Sequence, residues 1–470
     1  MIVSVRIRAQ NENQGASSFV VKPYLQIGHS PSTHSLDLLW QTSDEKSNWV
    51  VETRLSGSKI WLMAGQPDVS TISVAGVNQR KAYKVYLKNL VAGSLFDYRL
   101  SKNGKIIFTT TAARAPKDLK QSYRFVTFGD IGAGTTDAKL LAEQAFLAKP
   151  DMVVVPGDIV YEHGLISEYD TNFWPVYNAD TLNHYGAPLM RSIPFVAAPG
   201  NHDVDTRDLD KYPDGLAYFS FWDQPLNGFI SPEGGPVVPV LKASAVNRRS
   251  FIGSAGGAYP VMTNFSMNYG NGHWLFLDSN PYVDWTDSLL RDWVKKDLIA
   301  AKDAGWRFVV FHHPGFSSAR EHFEQQHMRL LSPLFEAGKV DIVFNGHVHN
   351  YQRSYPLQFV PDKKGTLLVG GKDNKTIRGR VVNGRWILDK KFNGKNNTKP
   401  DGVIYVVTGA GGQELYNPEQ NNDPDSWQKF TDKFISKVHS LTVVDVNGKR
   451  LKLRQVDING KELDSVILTK

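Results

Sequence analysis

Five short polar stretches punctuate this chain in a fixed order, and each closes an apolar run. They are Gly129-Asp130-Ile131-Gly132, Gly157-Asp158-Ile159-Val160-Tyr161, Gly200-Asn201-His202-Asp203, Val309-Val310-Phe311-His312-His313 and Gly346-His347-Val348-His349. The runs themselves read as strands over Arg124–Phe128, Met152–Val155, Phe195–Ala198, Phe308–Phe311 and Ile342–Phe344, with a further strand at Trp274–Leu277. Helical patterns lie between some of them, over Thr136–Ala148, Asp287–Ala304 and Phe323–Ala337. This alternation predicts an α/β fold with a layered core flanked by helices. Open α/β sheets bind ligands outside the carboxyl ends of their strands, so distant segments are expected to converge on one crevice. Carboxylates, an amide, imidazoles and a phenol then surround that crevice with hard oxygen and nitrogen donors suited to two metal ions.

The region before Tyr123 has a different period. Ser35–Trp40 and Tyr83–Leu87 roughly alternate, and Leu95–Leu100 and Lys105–Thr110 flank Asn103-Gly104, a strong hairpin turn. Short strands at this spacing predict a small all-β sandwich over residues 1–114, joined by the Pro-containing linker Ala112–Lys117 to a catalytic domain over 118–470. At 470 residues two domains are the natural expectation. The last part, from Val403–Val407 onward, is again β-rich, with turns at Asn447-Gly448 and Asn459-Gly460. Two long segments, Val204–Tyr259 and Pro356–Pro400, break the regularity. The second holds an expected hairpin around Val382-Asn383-Gly384. Long loops beside a site often form its walls or lids. Trp222 and Phe229 are candidates for lining a pocket there or for local core.

Composition removes other chemistries. The chain has no cysteine, which excludes disulfides, thiolate metal sites and thiol nucleophiles. Its formal charge of +7 favours anionic substrates through the overall field, although a solubility bias reads the same way. Lysines gather in the Lys372–Lys399 stretch with Gly and Asn interleaved, which suits a solvated hairpin better than a nucleic-acid groove. No apolar run approaches the roughly 18–20 residues that span a bilayer, so no membrane partner is expected. The opening Met1–Gln10 is too short in apolar length for a secretory signal, so such a signal is expected to be absent or already removed.

Each motif alone has an ordinary reading. Asp130 fits a helix N-cap, Asp158 a turn, and His202 and Asp203 the polar groups of a loop. His347 and His349 flank Val348, and on an extended segment both rings would point to one side. All five at strand ends, in this order, carry the weight together.

The set resembles that of the purple acid phosphatases, within the calcineurin-like metallophosphoesterases. The likeness covers Tyr123–Tyr355, extends through Asn350-Tyr351-Gln352-Arg353-Ser354, and recurs at Gly409-Ala410-Gly411-Gly412. The N-terminal part more loosely resembles the fibronectin type III-like domain that these enzymes often carry. The resemblance implies a first metal held by Asp130, Asp158, Tyr161 and His349. It implies a second held by Asp158, Asn201, His312 and His347, with Asp158 bridging. Relatives with an ordinary core place a histidine two residues after the first aspartate, where this chain has Gly132. Tyr161 would replace it as a phenolate, for which Fe(III) is the expected first ion, with Fe, Zn or Mn divalent at the second. His202 and His322 are the expected catalytic, substrate-facing imidazoles. His322 occupies the place of the second of a histidine pair whose first member is here Glu321. His313 follows a ligand without an assigned role, and the role of His163 is open.

The implied reaction is hydrolysis of phosphate monoesters, with a metal-bound hydroxide attacking phosphorus in line and no covalent enzyme intermediate. A phosphodiesterase or phosphotriesterase on the same centre would carry the same ligands. The reading from another class is a β-sandwich adhesion or carbohydrate-binding protein with a degenerate core, although every ligand position is filled. Small phosphate esters are the expected partners, with homo-oligomers possible, no nucleic acid, and a periplasmic or secreted location by resemblance.

Overall fold

The computed structural model describes residues 18–470 apart from 44, 46, 363–369, 372–375 and 378–381, with only the backbone of 370, 371, 376 and 377. The opening decapeptide and the start of the lysine-rich stretch lie outside the described residues. Further along that stretch Lys390, Lys391, Lys395 and Lys399 are exposed, as a solvated segment requires.

Two sheets face one another. One runs, in spatial order, through Glu462–Thr469, Arg450–Asp457, Ser440–Asn447, Tyr123–Thr127, Met152–Pro156, Phe195–Ala198, Val21–Gln26, Leu36–Ser43, Arg80–Leu87 and Asp68–Ile72. The other runs through Phe265–Tyr269, Gly272–Phe276, Trp306–Val310, Ile342–Asn345, Ile404–Thr408, Tyr351–Ser354 and Thr431–Ile435. The central strands of each sheet are parallel, with Val153 opposite Phe195 and Val126 in the first, and Val309 opposite Leu275 and Val343 in the second. Their carboxyl ends therefore open at the same edge.

The apolar runs explain the layering. Successive strand side chains point to opposite faces, so a strand apolar at every position needs cover on both. Phe125, Val154, Val196, Trp274, Phe308 and Phe344 belong to the buried cluster between the sheets. The Phe125 ring lies 4.8 Å from Trp274, 5.5 Å from Phe308 and 5.7 Å from Phe344. The alternate residues Val126, Val153, Leu275 and Val309 belong to the other cluster, with Leu141 and Ala145 of helix Thr136–Leu147 and with Leu290, Val294 and Leu298 of helix Ser288–Ala300. The order of layers is helix, sheet, sheet, helix.

The N-terminal strands make two sheets, as a sandwich does, but one of them continues the core sheet through the parallel contact of Gln26 with Phe195. The four-stranded sheet Leu62–Gly65, Trp49–Leu55, Leu95–Lys102 and Lys105–Arg114 covers it, with Trp40 stacked on Tyr83 at 5.1 Å and tilted against Trp49 at 5.5 Å.

Two local expectations are corrected and one alternative is decided. The helix expected over Phe323–Ala337 is a 3₁₀ turn at His327–Leu331 followed by a short α-helix, Ser332–Ala337. Pro333 sits in the first turn of that helix, where its ring does no damage. His322, at φ +59°, lies before any helix. Asn383-Gly384 is not a turn but the start of the strand Gly384–Leu388, which pairs with Leu357–Pro361. Trp222 is core: it is buried, and its indole N–H donates to the Tyr169 hydroxyl at 3.0 Å. Phe229 packs against the same core cluster.

Replacing Phe125 with alanine empties the point where three rings meet and is expected to lower the unfolding free energy by about 3–5 kcal/mol. Ile60, which is 70% exposed, is the control, and its alanine variant should stay within about 0.5 kcal/mol of the parent in denaturant titration.

Candidate metal centre

Five of the strands that end at the open edge deliver one or two donors each within the next few residues. Tyr123–Thr127 leads to Asp130, Met152–Pro156 to Asp158 and Tyr161, and Phe195–Ala198 to Asn201. Trp306–Val310 leads to His312, and Ile342–Asn345 to His347 and His349. Asp130, Asp158 and His347 turn the chain through left-handed conformations, at φ +62°, +51° and +67°. Side-chain-bearing residues adopt these only when surrounding contacts hold them there, at a cost of about 1–3 kcal/mol each. Here the Asp130 N–H donates to the Gly157 carbonyl at 3.1 Å, the Ile131 N–H to the Asp158 carbonyl at 3.0 Å, and the His347 N–H to Asp130 Oδ2 at 2.9 Å.

The donors meet around Asp158. The Tyr161 hydroxyl lies 3.2 Å from Asp130 Oδ1, 3.2 Å from Asp158 Oδ2 and 3.5 Å from His349 Nε2. On the other side, His312 Nε2 is 3.1 Å from Asp158 Oδ2 and 3.1 Å from Asn201 Oδ1. His347 joins Asp158 and His312 in a group whose ligand atoms lie within 4.8 Å of one another. His349 Nε2 is 3.5 Å from Asp130 Oδ1. Neighbouring donors on one ion, each at ~2.1 Å and at right angles, stand ~3 Å apart, so this spacing suits shared cations.

The protonation pattern favours positive charge between these groups. His312 donates its Nδ1–H to the Pro156 carbonyl at 2.8 Å, and His349 donates its own to the Glu414 carbonyl at 2.7 Å. Their Nε2 lone pairs therefore face carboxylate oxygens, which repel them unless a proton or a metal stands between. Asp130 and Asp158 are fully buried, and their ion-pair partners among the described residues are histidines. Burial pushes the Asp158 carboxyl up, but the charge and hydrogen bond of His312 outweigh it and hold the group well below the usual carboxylate range. Burial depresses His312, yet the Asp158 carboxylate raises it to about 9. Tyr161 is driven well above the usual phenol range by burial and then by the two aspartates. A phenolate at this position needs a cation beside it.

Gly132 has no room for a side chain. A Cβ at this position would lie 2.1 Å from the Ile159 carbonyl oxygen and 2.3 Å from the Val160 Cα, so no histidine can occupy it. Gly346 is equally constrained, since its Cβ would meet the Pro156 carbonyl at 2.6 Å, Asp130 Oδ2 at 2.8 Å and His312 Nδ1 at 3.0 Å.

The remaining sequence candidates divide. The His202 ring packs on Tyr161 with centroids 4.4 Å apart, donates through Nδ1 to the Glu162 carbonyl, and brings Nε2 to 4.0 Å from Asp158 Oδ2. The His322 ring lies 4.1 Å from that of His347. His313 packs 4.3 Å from His347 on its other side and is held by the Ser279 hydroxyl at 3.0 Å from Nδ1. His163 stands apart, against the Tyr212 ring at 4.3 Å. Asp130 caps no helix, because Thr135 caps helix Thr136–Leu147 by accepting from the Ala138 N–H.

Three residues emerge only from the fold. Asp203 accepts from the Ile159 N–H at 2.9 Å and the Gly200 N–H at 2.7 Å, binding together the loops that carry Asp158 and Asn201. Its place in the Gly200–Asp203 motif was the available signal. Tyr416 stacks on His349 at 4.0 Å, and Gln325 contacts His347 and His322; nothing in their local sequence marks them.

Comparison with known proteins agrees with this geometry. Residues 123–351 match the calcineurin-like phosphoesterase family. Purple acid phosphatase 18 of Arabidopsis thaliana is 25% identical over 324 residues, which are 67% of this chain and 62% of that protein. Purple acid phosphatase 1 of Ipomoea batatas is 26% identical over 239 residues, 49% of this chain and 43% of that protein. The chain thus spans about half the length of the curated relatives it matches. The purple acid phosphatase PPD1 structure from yellow lupin (Lupinus luteus) seeds shares the fold, with a TM-score of 0.64 at 18% identity over 95% of this chain and 74% of that one. The chain carries a calcineurin-like phosphoesterase domain and is a homologue of the purple acid phosphatases.

Proposed function

We propose that this protein hydrolyses phosphate monoesters of small molecules at a centre that holds two metal ions. The observation that carries the reading is the shared position of Asp158: one buried carboxylate lies 3.2 Å from the Tyr161 hydroxyl and 3.1 Å from His312 Nε2, between two groups of donors. Asp130, Asp158, Tyr161 and His349 would hold the first ion, and Asp158, Asn201, His312 and His347 the second. When bound, two such ions supply Lewis acidity to the phosphoryl oxygens and acidify a water.

The chain's own groups do the rest. Asn201 contributes a neutral amide oxygen, so the second ion keeps more of its charge than the first. His202 stands at the rim beside Tyr161, and His322 beside His347, so that a phosphate drawn to the ions meets an imidazole on either side. These rings can hold a phosphoryl oxygen, and one of them can pass a proton to the departing alkoxide. Tyr161 needs a strongly charged, hard ion to ionise against two buried carboxylates, which favours Fe(III) at the first position and a divalent ion at the second. With the resemblance comes export to the periplasm or the extracellular space. Among the described residues no helix is long and apolar enough to cross a membrane.

Three measurements test this reading. Metal analysis of Asp158→Ala should show both ions lost and activity reduced by at least 10³-fold; two ions per chain in that variant would refute the bridge. The iron-loaded protein should absorb visible light, and Tyr161→Phe should abolish the band. A colourless parent with full iron content would remove the phenolate assignment. Aryl monoesters should be cleaved faster than di- or triesters at equal metal content, and the opposite order would move the protein to a different substrate class.

A further inference from the structure

We infer that Gln325 is a positioning residue whose single amide orients two imidazoles, His347 as a ligand of the second ion and His322 as a proton donor facing the substrate. The inference rests on the two-ion reading of the centre given above. Gln325 Oε1 lies 2.6 Å from His347 Nε2, and Gln325 Nε2 lies 3.1 Å from His322 Nδ1. An amide accepts at one end and donates at the other, so it dictates opposite states for the two nitrogens it meets. The His347 nitrogen facing the carbonyl carries hydrogen, which leaves Nδ1 bare as the ring's ligand atom. The His322 nitrogen facing the NH₂ is bare, which places the hydrogen of that ring on Nε2.

The surroundings allow little else to fix these rings. His347 is packed between His313 at 4.3 Å and His322 at 4.1 Å, contacts that set the tilt of the ring but not the position of its proton. Gln325 is itself anchored, since its backbone N–H donates to the His322 carbonyl at 3.0 Å. The adjacent Gln326 turns the other way and is a strut: its amide donates to the Phe323 carbonyl at 2.8 Å and accepts from the Val382 N–H at 3.2 Å. His322 and Gln325 also form part of the wall of a cleft of about 620 Å³, together with Arg320, Phe323 and Gln428.

Two variants separate the amide's functions. Gln325→Ala removes both contacts. Gln325→Glu keeps an acceptor for His347 but withdraws the donor from His322. Zinc occupancy is measured on protein equilibrated at graded free Zn²⁺, with metal counted per chain and folding checked by circular dichroism. Gln325→Ala should weaken the second site by 10–100-fold and leave the first unchanged, because outer partners of ligating histidines typically contribute that much. Gln325→Glu should stay within a few-fold of the parent. Ring-nitrogen NMR of the metal-free protein should show His347 protonated at Nε2 in the parent and in Gln325→Glu, and a mixture of tautomers in Gln325→Ala. His322 should carry its hydrogen on Nε2 in the parent alone. Parental zinc affinity in Gln325→Ala, or an equal loss in both variants, overturns the proposal. If the alanine variant does not fold, Gln325→Glu decides, and loss of its second zinc refutes the role. A parent that fails to bind two zinc ions would instead refute the two-ion reading.

Discussion

Two carboxylates buried within reach of one phenol govern this molecule. Asp130 and Asp158 are almost wholly removed from solvent, and a buried, unpaired charge is among the most expensive features a protein can carry. Histidine nitrogens answer part of that demand: with Nδ1–H held by the Pro156 and Glu414 carbonyls, each Nε2 faces a carboxylate with a proton or a cation between them. The site therefore favours positive charge at its centre. The two facing sheets, the parallel strand ends and the left-handed turns at Asp130, Asp158 and His347 serve to hold that arrangement against its own repulsion.

The same constraint accounts for the packing beneath the site. Loops alone would let such donors relax apart. Strands apolar at every position, covered on one face by the other sheet and on the opposite face by helices, fix the points from which the loops depart. Asp203 then binds the second and third loops to one another through backbone N–H groups. The conformational cost at the three strained residues is met by contacts spread over two sheets.

Much of this was legible in the sequence because the strands are buried on both sides. Apolar runs ended abruptly by Gly-Asp, Gly-Asn-His and Gly-His marked the strand ends to within a residue or two, as with Phe195–Ala198. The helix expected from Phe323 failed because His322 takes a left-handed turn and Pro333 sets the start of the regular segment, features of backbone and tertiary context rather than of apolar periodicity. Asn383-Gly384 carried the sign of a tight turn, yet pairing with Leu357–Pro361 places it at the start of a strand. Trp222 could be read as pocket or core, and only its contact with Tyr169 distinguishes them. The N-terminal strands showed alternation but not the partner they pair with, so their continuation of the core sheet was not readable.

The absence of a side chain at Gly132 has a steric cause. The Ile159–Val160 backbone passes directly over the Cα of Gly132, so the loop after Met152–Pro156 occupies the space a side chain there would need. That same loop continues into Tyr161, whose ring is stacked by His202 and whose oxygen arrives between the two carboxylates. The crossing of the two loops thus fixes both the bare Cα of Gly132 and the place of the phenol. Burial and then the two aspartates drive the Tyr161 phenol well above its usual range, so it ionises only beside a strong positive charge.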